Sequence, residues 1–278
     1  MLNENMVELN RNYFADCREV LKNIPDKSIN LFLEDMPYNT TQCDWEYEVD
    51  LEEYWKLRLP KLSDKGVFVL TASQPFTTDL IMSNRKMFKY EIVWDKVTTS
   101  NALNAKIMPM SKHENIIIFA YSGNTFNRQF TKREGSDLRP NRKLSSERRD
   151  KNITESTYGI HKHGYSVDND YTQISPSSII KFSRGNGWDK SKEIHPTQKP
   201  IELFSYLIKT YTNENDIVFD GYSGSGTTAI ACIRNNRKYI ICENKKEYYD
   251  LQTKRILEEI DKTSLFNSLG GRQDKLSA

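Results

Sequence analysis

No stretch of about 18 consecutive apolar residues occurs anywhere in these 278 residues, so no membrane-spanning helix is predicted. The first ten residues carry Glu4 and Glu8 and no apolar run. No secretory leader is predicted there, and a cytoplasmic setting is expected. Cysteine is scarce: Cys17, Cys43, Cys232 and Cys242 are scattered, with no C-x-x-C spacing. That spacing speaks against a disulfide frame or a zinc site, and buried thiols are expected instead. His161 and His163 form the only close histidine pair, with no cysteine near them, so no metal is predicted. A large excess of either charge is missing too, with 40 Lys and Arg against 38 Asp and Glu. No internal repeat divides the chain.

What is present is enough for a substantial core, since 37% of the residues are hydrophobic and 11% aromatic. Whole-chain disorder is thereby excluded. The length fits one large domain, or one domain carrying an insertion.

The chain reads as three parts. In residues 1–126, Ile29–Glu34, Gly66–Thr71, Tyr90–Trp94 and Asn115–Ala120 are short and nearly continuous in apolarity, as buried parallel strands are. Asp16–Ile24 and Leu51–Leu62 are predicted helices. In residues 127–193 the periodicity disappears. From Asn127 to Lys190 there are 13 basic and 8 acidic residues, so this stretch is net +5 and the remainder net −3. Aromatics are interleaved with the basic residues. Either a solvated loop or a local contact with a polyanion would produce that pattern. In residues 194–278 the α/β pattern resumes. Pro200–Tyr211, Gly224–Asn235 and Lys245–Ile260 are predicted helices, Asp216–Phe219 and Lys238–Cys242 strands, and Leu269–Ala278 a loose tail. The predicted fold class is α/β, a doubly wound, mostly parallel sheet interrupted by an irregular insert.

Two elements carry chemistry. The first is Phe219-Asp220-Gly221-Tyr222-Ser223-Gly224-Ser225-Gly226-Thr227-Thr228, a strand end, a glycine-rich turn and a helix start. Glu243 follows at the end of the next strand, at about the distance from the last glycine at which an acid bonds ribose hydroxyls in dinucleotide folds. The structural alternative is a tight strand-to-helix turn. No Lys follows Gly226, which disfavours a P-loop. Asp220 would repel a pyrophosphate but accept from an ammonium, which favours S-adenosylmethionine over NAD. The second element is Asp35-Met36-Pro37-Tyr38, directly after the strand INLFLE. Pro37 biases Met36 toward an extended conformation, so the Asp35 carboxylate and the Met36 carbonyl can face one site beside the Tyr38 ring. Two acceptors aimed at a nucleobase amine would stabilise charge as its nitrogen attacks a methyl group. Tyr38 could stack on an extruded base. The bland alternative is an Asp-Pro turn.

Together, and in this order, the two elements resemble the DNA amino-methyltransferases of the β arrangement. Asp35-Met36-Pro37-Tyr38 is similar to that family's D-P-P-Y motif, and Asp220 to Thr228 to its D-P-F-x-G-S-G-T-T loop. His195-Pro196-Thr197-Gln198-Lys199-Pro200 matches its H-P-T-Q-K-P stretch. Trp94-Asp95-Lys96 and His113-Glu114-Asn115 match its middle motifs. The resemblance implies a Rossmann-like methyltransferase fold with 127–193 as a target-recognition insert. It implies S-adenosylmethionine as cofactor, held by Asp16, Asp35, Thr197, Lys199, Asp220, Gly224, Gly226, Thr227 and Glu243, with Asp16 meeting the adenine amine. It implies double-stranded DNA as substrate, with Asp35, Met36, Pro37 and Tyr38 catalytic. Aspartate at the first motif position is commoner among adenine enzymes, so adenine is favoured over cytosine. Relatives of this arrangement often pair, which makes a homodimer a candidate assembly. A cognate restriction endonuclease is a candidate partner. Met36 replaces the motif's first Pro, and Gly221-Tyr222 replaces Pro-Phe in the loop. The first substitution costs stiffness and the second loosens the turn, yet neither removes a side chain the mechanism needs; a DNA-binding relative without turnover is the alternative reading. All of this requires residues 35–38 and 219–228 to line one cleft.

Overall fold

The structure, a computed structural model, describes residues 7–38, 49–100, 102, 105–132, 155–156, 159–160, 173–183 and 198–273. The short apolar runs become strands: β1 (Arg11–Phe14), β2 (Ile29–Glu34), β3 (Leu62–Ala72), β4 (Phe88–Ser100) and β5 (Ser111–Ala120). Four two-residue strands follow, β6 (Thr131–Lys132), β7 (Glu155–Ser156), β8 (Gly159–Ile160) and β9 (Gln173–Ile174). Then come β10 (Ile179–Lys181), β11 (Ile217–Asp220) and β12 (Lys238–Glu243). The helices are α1 (Cys17–Lys22), α2 (Leu51–Arg58), α3 (Phe76–Ser83), α4 (Ile201–Tyr211), α5 (Thr227–Arg234) and α6 (Lys246–Gln273).

Eight strands form one sheet in the order β1-β12-β11-β2-β3-β5-β4-β10. Strand alternation sends successive side chains of β2 to opposite faces. Leu31 and Leu33 pack with Leu203, Leu207, Ala229 and Cys232 of α4 and α5. Phe32 packs with Leu21 of α1, Trp55 of α2 and Leu80 of α3. Helices therefore cover both faces, as in a doubly wound α/β fold.

Two expectations change. The four strands of the first part were expected to be parallel, but β5 runs antiparallel between β3 and β4. Residues 101–110, which connect β4 to β5, are too few for a crossover helix, so the two strands form a hairpin. The expected tail is helical as far as Gln273. Gly270 and Gly271 lie within it, and each glycine costs a helix only about 1 kcal/mol and does not end it alone.

The chain separates into two compact units, Met1–Asn127 with Ser177–Ala278, and Arg128–Pro176. The first contains the eight-stranded sheet. In the second, β6 pairs antiparallel with β9 and β7 with β8. His161, His163 and Cys43 lie outside the described residues. Among the described residues no cluster of His, Cys, Asp or Glu could hold a metal, and no helix is long and apolar enough to cross a membrane.

Candidate active site

β11 pairs in parallel with β2, with Val218 opposite Leu31 and Phe219 opposite Phe32. The chain stretches that follow them, from Asp35 and from Asp220, therefore leave neighbouring strands at the same edge. In an open α/β sheet this carboxyl edge is where ligands bind. Alternation then sorts the side chains. Asp35 and Asp220 emerge on the face covered by α4 and α5, while Glu34 and Gly221 turn to the face covered by α1 and α2.

Asp35 is 21% exposed at its side chain and is heavily bonded. Its Oδ1 accepts from Tyr38 Oη at 2.6 Å and from the Thr71 hydroxyl at the end of β3. Its Oδ2 lies 2.8 Å from Lys199 Nζ. A carboxylate offers about four lone-pair positions. Both on Oδ1 are taken, so the open one is on Oδ2, beside the ammonium. Lys199 Nζ also lies 3.2 Å from Glu114 Oε2, and Glu114 Oε1 is 3.3 Å from Lys96 Nζ. Two cations and two anions thus alternate in a buried row. Tyr38 is tied at its hydroxyl, stacks on Phe76 at 5.7 Å, and has Lys199 Nζ 5.7 Å from its centroid. Burial, then the charge of Asp35, pushes its phenol well up. Met36 is buried in the core on the α1–α2 side, while its backbone carbonyl is kept. Pro37 is partly buried.

Asp220 is 3% exposed. Oδ1 accepts from Tyr222 N at 2.9 Å and Oδ2 from the Thr228 hydroxyl of α5. Burial pushes its carboxyl up to about 8; the Glu34 and Asp35 charges add to this, and the two bonds oppose it. The loop then turns through Gly224 (φ 47°) and Gly226 (φ 74°), a left-handed conformation that glycine adopts without strain. Gly224 N donates to Glu243 Oε2 at 3.0 Å, and Lys245 N to Glu243 Oε1 at 2.8 Å. Asn244 N–H bonds the same carboxylate. Burial raises the Glu243 carboxyl, against these backbone bonds. Thr227 Oγ1 is 3.3 Å from Lys199 O, which joins the helix start to the segment carrying Lys199. β1 pairs with β12, Phe14 opposite Glu243, so Asp16 stands just beyond the neighbouring strand end. Asp16 caps α1 and is paired to Arg18, whose hydrogen bonds hold its carboxyl below the usual range.

Asp16, Asp35, Met36, Pro37, Tyr38, Lys199, Asp220, Gly224, Gly226, Thr227 and Glu243 therefore fall along one sheet edge. Thr197 lies outside the described residues. Sequence reasoning gave no role to Thr71, Glu114, Lys96, Glu34 or Arg58. For Glu34 the available signal was a charged residue at the end of an otherwise apolar strand, which a buried position tolerates only with a partner. Arg255 was missed as well; its NH1 donates to Ser225 O at 2.8 Å and braces the loop from α6.

A family model described as DNA methylase matches residues 29–255. Among curated relatives, the type II methyltransferase M1.MboII of Moraxella bovis is 27% identical over 92% of this chain and 99% of that one. The DNA adenine methyltransferase YhdJ of Escherichia coli (strain K12) is 28% identical over 87% of this chain and 81% of that one. The crystal structure of the M1.HpyAVI–SAM complex has a TM-score of 0.58 at 24% identity, covering 88% of this chain and 98% of that one. PvuII DNA methyltransferase, cytosine-N4-specific, has a TM-score of 0.62 at 18% identity, covering 94% and 93%. At such identities the structural likeness establishes a shared fold. The family match spans both the Asp35 and the Asp220 elements, and the chain belongs to the DNA methylase family.

Proposed function

We propose that this chain transfers a methyl group from S-adenosylmethionine to the exocyclic amine of adenine in double-stranded DNA, at a defined sequence. The observation that carries the reading is the parallel pairing of β2 with β11, which puts Asp35 and Asp220 at adjacent strand ends. The residues suit the cofactor. Asp220 is an acid held away from water with no cation paired to it among the described residues, and a bound ammonium would supply that cation. The Glu243 carboxylate, fixed by backbone N–H groups at the end of β12, would face the ribose hydroxyls, and Asp16 stands at the next strand end for the adenine amine. Lys199 and Thr227 close the methionine end. Bound there, S-adenosylmethionine supplies an electrophilic methyl on its sulfonium.

The chain's own part is to bind and polarise the amine. Asp35 Oδ2 accepts one amine hydrogen and the Met36 carbonyl the other, which favours a pyramidal nitrogen with an available lone pair. Thr71 and Lys199 keep the carboxylate from rotating. Tyr38 offers its ring to the extruded base, and stacking of this kind returns about 1–3 kcal/mol. As the amine nitrogen is alkylated, positive charge develops on that nitrogen; the Asp35 carboxylate bonded to it offsets the charge and is placed to take the surplus proton. The basic stretch within 127–193 holds phosphates, so DNA affinity should fall as salt rises. YhdJ carries the name of an adenine enzyme and supports the choice of base.

The test is methyl incorporation from labelled cofactor into duplex DNA, followed by nucleoside analysis. N6-methyladenine is the expected product. N4-methylcytosine would move the reading to cytosine, and cofactor binding without any incorporation would move it to a DNA-binding relative.

A further inference from the structure

The strand INLFLE ends in a charged residue on its inner face. Glu34 is 0% exposed and turns away from Asp35, toward α2. There Arg58, 1% exposed, meets it in a two-pronged pair, Nε to Oε2 at 2.9 Å and NH2 to Oε1 at 2.9 Å. Tyr54 of α2 adds its hydroxyl to Oε2. The remaining donor comes from the cofactor loop: Gly221 N bonds Glu34 Oε1 at 3.0 Å. The Arg58 guanidinium lies 4.1 Å from the Tyr54 centroid and 5.7 Å from that of Tyr222, the residue after Gly221. One buried ion pair thus holds the turn after Asp220 from below while its carboxylate rides on the residue before Asp35.

Gly221 suits this arrangement, and a larger residue would have to push the pair aside. A Cβ at that position would lie 2.8 Å from Arg58 NH2 and 2.8 Å from Glu34 Oε1. The proline found here in the resembling family would collide and would have no N–H to donate. The departures at Gly221 and Tyr222 therefore do not loosen the turn. They exchange the stiffness of a proline for a hydrogen bond to a buried carboxylate and a guanidinium beside an aromatic ring. A buried ion pair is not needed for stability, since apolar residues of similar volume often serve as well or better. Geometry is what the pair supplies.

We infer that Glu34 and Arg58 are positioning residues for cofactor binding: they lock the Asp220–Tyr222 turn to the strand end that carries Asp35 and so set the spacing of the two acids. The inference rests on the assignment of Asp220 to the cofactor. Neither residue touches the reacting atoms.

The test compares the full-length protein with Glu34→Leu/Arg58→Met, which keeps an apolar fill, and with that pair combined with Gly221→Pro and Tyr222→Phe. Calorimetry with S-adenosylhomocysteine reads binding, thermal unfolding reads the fold, and steady-state kinetics separate KM from kcat. The double variant leaves the Tyr54 hydroxyl and Gly221 N–H without their Glu34 partner, so it should stay folded but unfold about 5–10 °C below the unsubstituted protein. Its ligand Kd and its KM for cofactor should each rise about tenfold, with kcat changed less than about threefold. The fourfold variant should recover most of the affinity. Unchanged Kd in a folded double variant, or no recovery in a folded fourfold variant, overturns the inference. Should the double variant not fold, Gly221→Ala carries the test, since its Cβ displaces Arg58: a raised Kd supports the inference and an unchanged one overturns it. No ligand binding by the unsubstituted protein would overturn the cofactor assignment together with this inference, whereas the other failures leave that assignment standing.

Discussion

Asp35 and Asp220 are the same side chain at the ends of adjacent strands, yet their surroundings differ in one decisive respect. Asp35 has a cation against it, Lys199 at 2.8 Å, and retains some contact with solvent. Asp220 is deeper, bonded to neutral donors, and no cation pairs with it among the described residues. One acid is supplied with a counter-charge by the protein; the other has none among the described residues, and under the proposed function a ligand would supply it. Burial without a cation disfavours the charged form, and its mark is the Asp220 carboxyl pushed up to about 8; the proposed cationic cofactor would offset it.

Removing each acid should separate the two roles. Asp35→Ala should lower methyl transfer by about a thousandfold or more, a loss of the size seen when a transition-state partner is deleted. Its binding of S-adenosylhomocysteine, measured by calorimetry, should remain measurable, weakened by less than about tenfold. Asp220→Asn should do the opposite, weakening that binding about a hundredfold, as expected for loss of a buried charge partner.

The pH dependence sharpens the contrast. Asp220 must be ionised to hold an ammonium, so between roughly pH 5.5 and 7.5 the affinity for cofactor should rise about tenfold per pH unit, and the Asn variant should show no such slope. Stability should move the other way. A carboxyl raised from its ordinary value near about 4 keeps a proton that the unfolded chain releases. Its contribution is complete below about pH 4 and is lost as pH climbs toward the folded value of about 8. Asp220→Asn should therefore unfold at a higher temperature than the unsubstituted protein near pH 8, in a calorimetric scan.

Lys199→Met asks whether the counter-charge of Asp35 is structural as well as functional. It leaves the part-exposed Asp35 without its cation and Glu114 with only the Lys96 cation among the described residues, so a loss of about 1.5–3 kcal/mol in denaturant unfolding is expected. Adding Glu114→Gln should recover part of that loss. Thr71→Val should be mildest, about 1 kcal/mol and a several-fold drop in kcat, because Tyr38 still holds the same carboxylate oxygen.

Much of this site could be read from local sequence. A strand end, a glycine turn, a helix start and an acid one strand later are linked by short spacings, and the parallel pairing of neighbouring strand ends follows from the α/β alternation. The antiparallel course of β5 was harder to read, because a strand buried on both faces is apolar throughout whichever way it runs. Partners distant in sequence were not readable at all. Nothing near Glu34 announces Arg58, which is 24 residues away, and nothing near Asp35 announces Thr71, which is 36 away. Gly221 shows the consequence most plainly. As a letter it suggested a slack turn, and as a neighbour of Glu34 it is the residue that makes a rigid one feasible.

The central claim, that the Asp35 and Asp220 elements act as a single methyl-transfer site, is tested most directly by modification-sensitive sequencing of DNA from a host expressing the protein. N6-methyladenine at one recurring sequence is expected with the unsubstituted chain, and its complete loss with Asp35→Ala. The same methylation persisting in a folded Asp35→Ala protein, or no modified base from a chain shown to bind S-adenosylhomocysteine, would contradict it.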